Sequence, residues 1–120
     1  MIETNILSIK EARMIMAQNG GKLFLHDRSD ITGLPEGLDD LTGLWLFNCN
    51  NIIALPDNMS ELVDLQIFSC RGINALPNGM SKLANLFVFN CSNVKALPDD
   101  LPKYCKLCLI ATGIPDEEKR

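Results

Sequence analysis

Four Leu-Pro pairs recur at a constant spacing of 21 residues, and this spacing constrains the fold more than any other feature of the 120-residue chain. The pairs are Leu34-Pro35, Leu55-Pro56, Leu76-Pro77 and Leu97-Pro98. The segments 34–54, 55–75 and 76–96 share the pattern LPxx(L/M)xxLxxLx(L/I/V)FxCxx(I/V)xA. A pattern repeated at this period predicts that each unit folds in the same way and packs on the next.

Each repeat contains one short segment rich in strand-forming residues, such as Leu44-Trp45-Leu46-Phe47. Strands at the same place in successive repeats, joined by a Pro-containing return, must pair parallel at about 4.8 Å. The sequence therefore predicts an α/β solenoid with a parallel concave sheet. Its strands are expected near 22–25, 44–47, 65–68, 86–89 and 107–110. One repeat buries too few side chains to offset its backbone entropy, so the stack should need caps.

The first 21 residues predict an N-terminal helical cap. Ser8 and Glu11 have the spacing of a capping box, and Asn19-Gly20-Gly21 is typical of a helix end. One face of a helix over residues 9–18 would carry Ile9, Ala12, Ile15 and Met16. We therefore divide the chain into a cap over 1–21, repeats over 22–114 and a charged tail over 115–120.

Over about residues 22–114 the repeats resemble the leucine-rich-repeat superfamily, in particular its cysteine-type repeats with the spacing LxxLxLxxC followed by LP. The resemblance implies a short horseshoe that recognises proteins through its concave sheet. The segment Leu7-Ser8-Ile9-Lys10-Glu11-Ala12 is also similar to helical repeats of bacterial leucine-rich-repeat proteins. This second similarity makes a bacterial effector, acting as a substrate-recognition module, a candidate role.

Composition excludes several classes of partner. Eleven Lys and Arg against fifteen Asp and Glu give a net charge of −4, which disfavours nucleic-acid binding. No stretch approaches the roughly 20 apolar residues that span a bilayer, and the N-terminus lacks the basic flank of a signal peptide. Five cysteines are an odd number for a secreted disulfide framework. We expect a cytoplasmic protein, or one delivered to a host cytosol, with no membrane contact.

The cysteines and the single histidine are the candidates for chemistry. Cys49, Cys70 and Cys91 share one repeat position, where the resemblance implies an inward side chain that hydrogen-bonds loop backbone; Arg28 and Thr112 replace it in the end repeats. Sulfurs spaced along a sheet do not converge on one metal ion. Cys105 and Cys108 form a CxxC, but alternation along the last strand should point them to opposite faces.

His26 next to Asp27 could suggest a general base, yet no cysteine shares its neighbourhood in the repeat register. The chain also lacks the glycine-rich loops that bind phosphates. We expect no enzyme activity, no metal and no cofactor. A thiol enzyme that uses the CxxC remains the alternative from a different class.

Alternation also predicts an aromatic concave face. With Leu44 and Leu46 inward, the outward side would carry Phe24, Trp45, Phe47, Phe68, Phe87 and Phe89. Lys22, Asp64, Asn85 and Lys106 would form a polar rim beside them. Aromatic residues dominate binding hot spots, so the sequence predicts a protein-interaction module with these ten residues in contact with a partner protein. The alternatives are a homodimerising structural protein, in which a second copy of the chain occupies the same face, and a ring stack that only stiffens the sheet.

Overall fold

The computed structural model describes residues 5–57 and 59–116. In order along this part of the chain, its regular elements are α1 (Ile9–Gln18), β1 (Lys22–His26), β2 (Gly43–Phe47), β3 (Asp64–Phe68), β4 (Asn85–Cys91) and β5 (Lys106–Thr112). All five strands belong to one parallel sheet in the order β1-β2-β3-β4-β5. The predicted fold class, a parallel-strand solenoid with an N-terminal helix, is confirmed.

Equivalent residues of successive repeats lie side by side in the sheet. Lys22 pairs with Gly43, Gly43 with Asp64, Asp64 with Asn85, and Asn85 with Lys106. Each step is 21 residues, so the sheet has the period of the sequence. Side chains at one repeat position therefore form a row across the sheet, perpendicular to the strands.

The core lies between the sheet and the return segments. Two rows of strand side chains point into it. In one of them, four of the five residues are each 0% exposed, namely Leu23, Leu44, Leu65 and Leu86. The return segments contribute the buried residues Leu41, Met59, Leu62, Met80 and Leu83. Every second strand residue is buried in β1, which is the pattern expected of a sheet with one covered face.

The return segments contain repeated turns. The N–H groups of Leu41, Leu62 and Leu83 each donate to the carbonyl three residues earlier, at 3.0, 3.1 and 3.2 Å. Within the described residues, α1 is the one α-helix. A repeat of 21 residues leaves little length for a helix on the return side, and turns suffice to bring the chain back to the next strand.

The helical cap differs from the sequence prediction in two details. The Ser8 hydroxyl accepts a hydrogen bond from the Glu11 N–H at 3.1 Å, as expected of an N-cap. The Glu11 carboxylate, however, pairs with Arg28 at 2.6 Å instead of completing a capping box. Ala12 and Met16 are buried, but Ile9 in the first turn remains 43% exposed, because it lies at the margin of the helix face that contacts the core.

In the first repeat, Arg28 occupies the position that cysteine has in the next three. It stands one repeat before Cys49, and it forms ion pairs with Glu11 and with Asp30, the latter at 2.9 Å. These contacts raise the pKa of the Arg28 guanidinium, first through the hydrogen bond with Asp30 and then through that with Glu11. Arg28 thus links the helical cap to the first repeat instead of extending the thiol row.

At the other end, the Thr112 hydroxyl accepts a hydrogen bond from the Ile114 N–H at 3.2 Å. Ile114 is buried and closes the last turn. Of the predicted charged tail, residues 117–120 lie outside the described part of the chain. In the described ranges, no helix has the length and apolar content required to cross a membrane.

The three repeated cysteines are completely buried and point inward. Their sulfurs lie 3.4, 3.4 and 3.3 Å from the carbonyl oxygens of Phe47, Phe68 and Phe89, to which the thiols can donate. Cys70 also accepts from the Cys49 N–H at 3.4 Å. The repeat position therefore combines a small volume with hydrogen bonding to the backbone. The inward direction is the one that the resemblance implied, but the acceptor carbonyls belong to strand residues instead of loop residues.

This site predicts the order of two substitutions. Cys70→Ser should lower the melting temperature less than Cys70→Leu, because a hydroxyl can keep both hydrogen bonds. A leucine is too large for the site, and such overpacking lowers the free energy of unfolding by about 1–3 kcal/mol. Differential scanning calorimetry of the two variants measures the order. A leucine variant more stable than the serine variant would show that hydrogen bonding at this position is unimportant.

Candidate functional site

The face of the sheet that points away from the core is here named the open face. Three rows of side chains cross it. The first row is Lys22, Gly43, Asp64, Asn85 and Lys106; the second is Phe24, Trp45, Gln66, Phe87 and Cys108; the third is His26, Phe47, Phe68, Phe89 and Ile110. All ten residues of the predicted contact surface lie in these rows. Their role in binding stays a prediction.

Five of the six aromatic rings form two stacks. Phe24 and Trp45 lie with ring centroids 4.7 Å apart and planes inclined by 18°. In the third row, Phe47 and Phe68 stack at 4.5 Å, and Phe68 meets Phe89 at 6.2 Å with a tilt of 44°. Gln66 stands between Trp45 and Phe87 in the second row, so the Phe87 ring is separated from the Phe24–Trp45 stack and belongs to neither stack.

Stacking does not bury these rings. The stacked rings of Phe24, Phe47 and Phe89 are between 42% and 44% exposed, and those of Trp45 and Phe68 are half-buried; the separate Phe87 is 36% exposed. Each stacked pair stabilises the fold by about 0.5–1.5 kcal/mol, so the structural alternative accounts for part of the arrangement. It does not account for the outer surfaces of the rings, which are available for contact with another molecule.

Gly43 determines how Trp45 lies on the sheet. A Cβ atom at position 43 would stand 2.4 Å from the Trp45 ring and 3.0 Å from the Lys22 side chain. The glycine leaves space into which the indole folds, and the Lys22 Nζ lies 5.9 Å from the ring centroid. This distance allows a cation–π contact between the polar first row and the aromatic second row.

The Gly43→Ala substitution should move Trp45 without unfolding the chain. The added methyl overlaps the end of a side chain that can rotate, so we expect the indole to become more exposed. Trp45 is the single tryptophan, and its fluorescence reports the change directly. The emission maximum should shift to longer wavelength and acrylamide quenching should increase; an unchanged spectrum would show that the glycine does not position the ring.

A polar strip follows the third row at the ends of the strands. Asp27, Asn48, Ser69, Asn90 and Ala111 share one repeat position and all have φ between 55° and 58°. Asp and Asn tolerate this left-handed conformation better than most residues. The Asn48 amide donates to the Asp27 carboxylate at 2.8 Å, and the Asn90 amide donates to the Ser69 hydroxyl at 3.2 Å. Neighbouring repeats are thereby joined beside the aromatic rings.

An open groove of about 640 Å³ lies where the stacks meet the polar strip. Its apolar wall includes Phe24, Phe47 and Phe68, and its polar wall includes His26, Asp27 and Arg71. The hydrogen bond from Asn48, and secondarily that from His26, lowers the pKa of the Asp27 carboxyl. The carboxylate is therefore negative at neutral pH, and the groove offers an apolar surface with charges of both signs at its border.

The candidate catalytic groups are not arranged for nucleophilic catalysis. His26 lies 3.3 Å from Asp27 on the open side, whereas Cys49 in the next repeat is buried on the core side of the sheet. Cys105 is buried and Cys108 lies in the second row of the open face, so the CxxC side chains point to opposite faces. A dithiol pair needs both sulfurs within bonding distance on one side.

The buried thiols are also poorly suited to bind metal. Burial raises the pKa of the Cys91 thiol, and the hydrogen bond with Cys49 together with burial raises that of Cys70, whereas the same hydrogen bond lowers the pKa of the Cys49 thiol to about 7. Cys70 and Cys91 therefore stay neutral, and a neutral thiol is a weak ligand and a weak nucleophile. Among the described residues, no group of three or more His, Cys, Asp or Glu side chains is placed to hold a metal ion.

Sequence reasoning missed several residues of this surface. Asn48, Ser69 and Arg71 border the groove, and Gln66 separates Phe87 from the Phe24–Trp45 stack. The repeat register contained a signal for the polar strip, because Asp27, Asn48, Ser69 and Asn90 are small polar residues at one position. For Arg71, which follows the repeated cysteine, the register gave no such signal.

Comparisons with protein-family models, with curated proteins and with solved structures find no match to this chain.

Proposed function

We propose that this chain is a leucine-rich-repeat protein that binds a partner protein through its open face. The observation that carries the proposal is the pair of aromatic stacks, whose rings stay half-exposed on an otherwise well-packed domain. Soluble monomers rarely expose large contiguous apolar patches unless these serve binding. The 21-residue period and the cysteine position support the family assignment.

The borders of the aromatic surface fit the anatomy of a protein interface. The first row provides a polar rim with Lys22, Asp64, Asn85 and Lys106, while the opposite border carries Asp27 and its neighbours. Interfaces typically have an aromatic centre that excludes water and a polar rim that orients the partner. Trp45, Phe68 and Phe87 are proposed as the central contacts.

Binding, not catalysis, is the proposed activity. The buried thiols, the divided CxxC and the exposed His26 do not supply an activated nucleophile with a base beside it. Five cysteines, an odd number for a disulfide framework, favour a reducing compartment, so a cytosolic location, in the source cell or in a host, accompanies the proposal. The proposed partner is a protein with an apolar contact surface.

Comparative affinity capture tests the proposal. The baits are the wild-type chain, Phe68→Lys on the open face, and Ile53→Lys as a matched control at a 56% exposed apolar residue outside the sheet. A specific partner should be retained by the wild type and by the control, and lost with Phe68→Lys. Partners retained equally by all three baits would place the interface elsewhere and contradict the proposal.

A further inference from the structure

The core residues at the two ends of the solenoid differ in how completely they are buried. At the first strand, Leu23 and Leu25 are only 0% and 3% exposed, because α1 packs beside β1. At the last strand, the equivalent Leu107 and Leu109 are only partly buried. Strand β5 is the end member of the sheet, so among residues 5–57 and 59–116 no strand pairs with its outer edge. Half-buried core residues and a free strand edge thus coincide at one end.

The free edge of β5 presents hydrogen-bonding groups in a defined order. The Lys106 N–H donates to the Ala84 carbonyl at 2.8 Å, on the β4 side. Backbone groups of successive strand residues point alternately to the two edges. Leu107 and Leu109 therefore direct their N–H and C=O groups to the free edge, where an added strand could pair with them.

We propose that a second copy of this chain pairs with this edge, β5 against β5, antiparallel about a two-fold axis at Cys108. In this register Leu107 of one copy faces Leu109 of the other, and the two equivalent pairs exchange four backbone hydrogen bonds. The two open faces lie on the same side. Pairing joins two five-stranded sheets into one with ten strands. The features of β5 that support this pairing do not involve the aromatic stacks.

The occupant is a second copy because the edge is complementary to itself. Lys106, the single charged residue of β5, is opposite Ile110 of the second copy, so the two lysines stay apart. The half-buried Leu107 and Leu109 of one copy pack against Leu109 and Leu107 of the other and bury each other. A head-to-tail stack would instead place β5 against the β1 end, which is covered by α1 and by the Arg28–Glu11 ion pair.

The position of the axis gives Cys108 a distinctive environment. Cys108 is the one cysteine of the five that is not buried. On the axis it forms a non-hydrogen-bonded pair with itself, in which Cα atoms approach to about 4.5 Å. This separation lies within the range that a disulfide can bridge, so oxidation can report the register.

A charge-exchange experiment tests the register without disturbing the core. Ile110 is 51% exposed, so Ile110→Lys should leave the far-UV circular dichroism unchanged. It brings two like-charged pairs together across the axis and should raise the dimer dissociation constant about tenfold in sedimentation equilibrium. Adding Lys106→Glu to the same chain should restore the dimer. A wild-type chain that stays monomeric up to high micromolar concentration overturns the proposal, as does a dimer unaffected by both changes.

Oxidation with diamide, which accepts the two hydrogens released when two thiols join, provides the second readout. Wild type and Cys105→Ser should give a covalent dimer, and Cys108→Ser should not. Larger assemblies that do not cross-link at Cys108 would indicate head-to-tail stacking and overturn the two-fold arrangement. Phe68→Lys should dimerise normally. If this variant is monomeric, self-association uses the aromatic stacks and the edge proposal is wrong. A variant that dimerises but captures no partner bears on the proposed function of the open face and leaves the edge proposal intact.

Discussion

Leu65→Ala is expected to lower the free energy of unfolding by about 2–5 kcal/mol, the largest stability effect of any single truncation considered for this chain. Leu65 is 0% exposed in the central strand, between Leu44 and Leu86 of the neighbouring repeats. Removing its side chain leaves a cavity lined from both sides, which the stacked repeats cannot collapse easily. Urea unfolding followed by circular dichroism measures the effect.

Leu109→Ala provides the matched control. The residue has the same type and the same inward direction, but it is only partly buried at the end of the sheet. Its truncation should therefore destabilise the monomer less than that of Leu65, measured at a concentration where association is negligible. Equal losses at the two positions, or a loss below about 1 kcal/mol for Leu65→Ala, would contradict the assignment of the core.

Phe68→Lys is expected to weaken binding of the captured partner by about thirtyfold or more, the size of effect seen at a hot spot worth roughly 2 kcal/mol. The Phe68 ring lies between Phe47 and Phe89 in the third row and borders the groove. A lysine there removes the ring and brings a charge into the contact area. Isothermal titration calorimetry with the purified partner measures the loss.

The stability of the same variant separates binding from folding. Phe68 stacks with Phe47 at 4.5 Å, so its replacement should lower the free energy of unfolding by only about 0.5–1.5 kcal/mol. A loss comparable to that of Leu65→Ala would identify Phe68 as a core residue, and the reduced affinity would then report unfolding. Ile53→Lys should change neither quantity appreciably, since its side chain is already exposed.

The fold followed from the sequence because repetition removes ambiguity. A single segment such as Asp64–Phe68 could be read in either strand register, but its equivalents in four other repeats all place the leucines inward. The cap was less predictable. The Glu11 carboxylate could accept a hydrogen bond either from the Ser8 N–H, in a capping box, or from a cationic side chain. Only the folded geometry shows that Arg28, 17 residues away, is the partner.

The open face was predictable as a set of residues but not as a shape. Alternation alone places Trp45 and Phe68 outward. It does not show that Gly43 makes space for the indole or that Phe24 stacks on Trp45 and Phe47 on Phe68. The groove was also beyond sequence reasoning, because it depends on where the Arg71 side chain and the polar strip lie relative to the rings.

Hydroxyl-radical footprinting of the free and partner-bound chain tests the central claim, that the open face is the protein interface, most directly. In the free chain, Phe24, Phe47, Phe87 and Phe89 should be oxidised in proportion to their exposure, with Met14 and Ile53 as exposed references outside the sheet. Binding should protect the aromatic residues and leave both references unchanged. Protection of Met14 or Ile53 with undiminished oxidation of the phenylalanines would contradict the account.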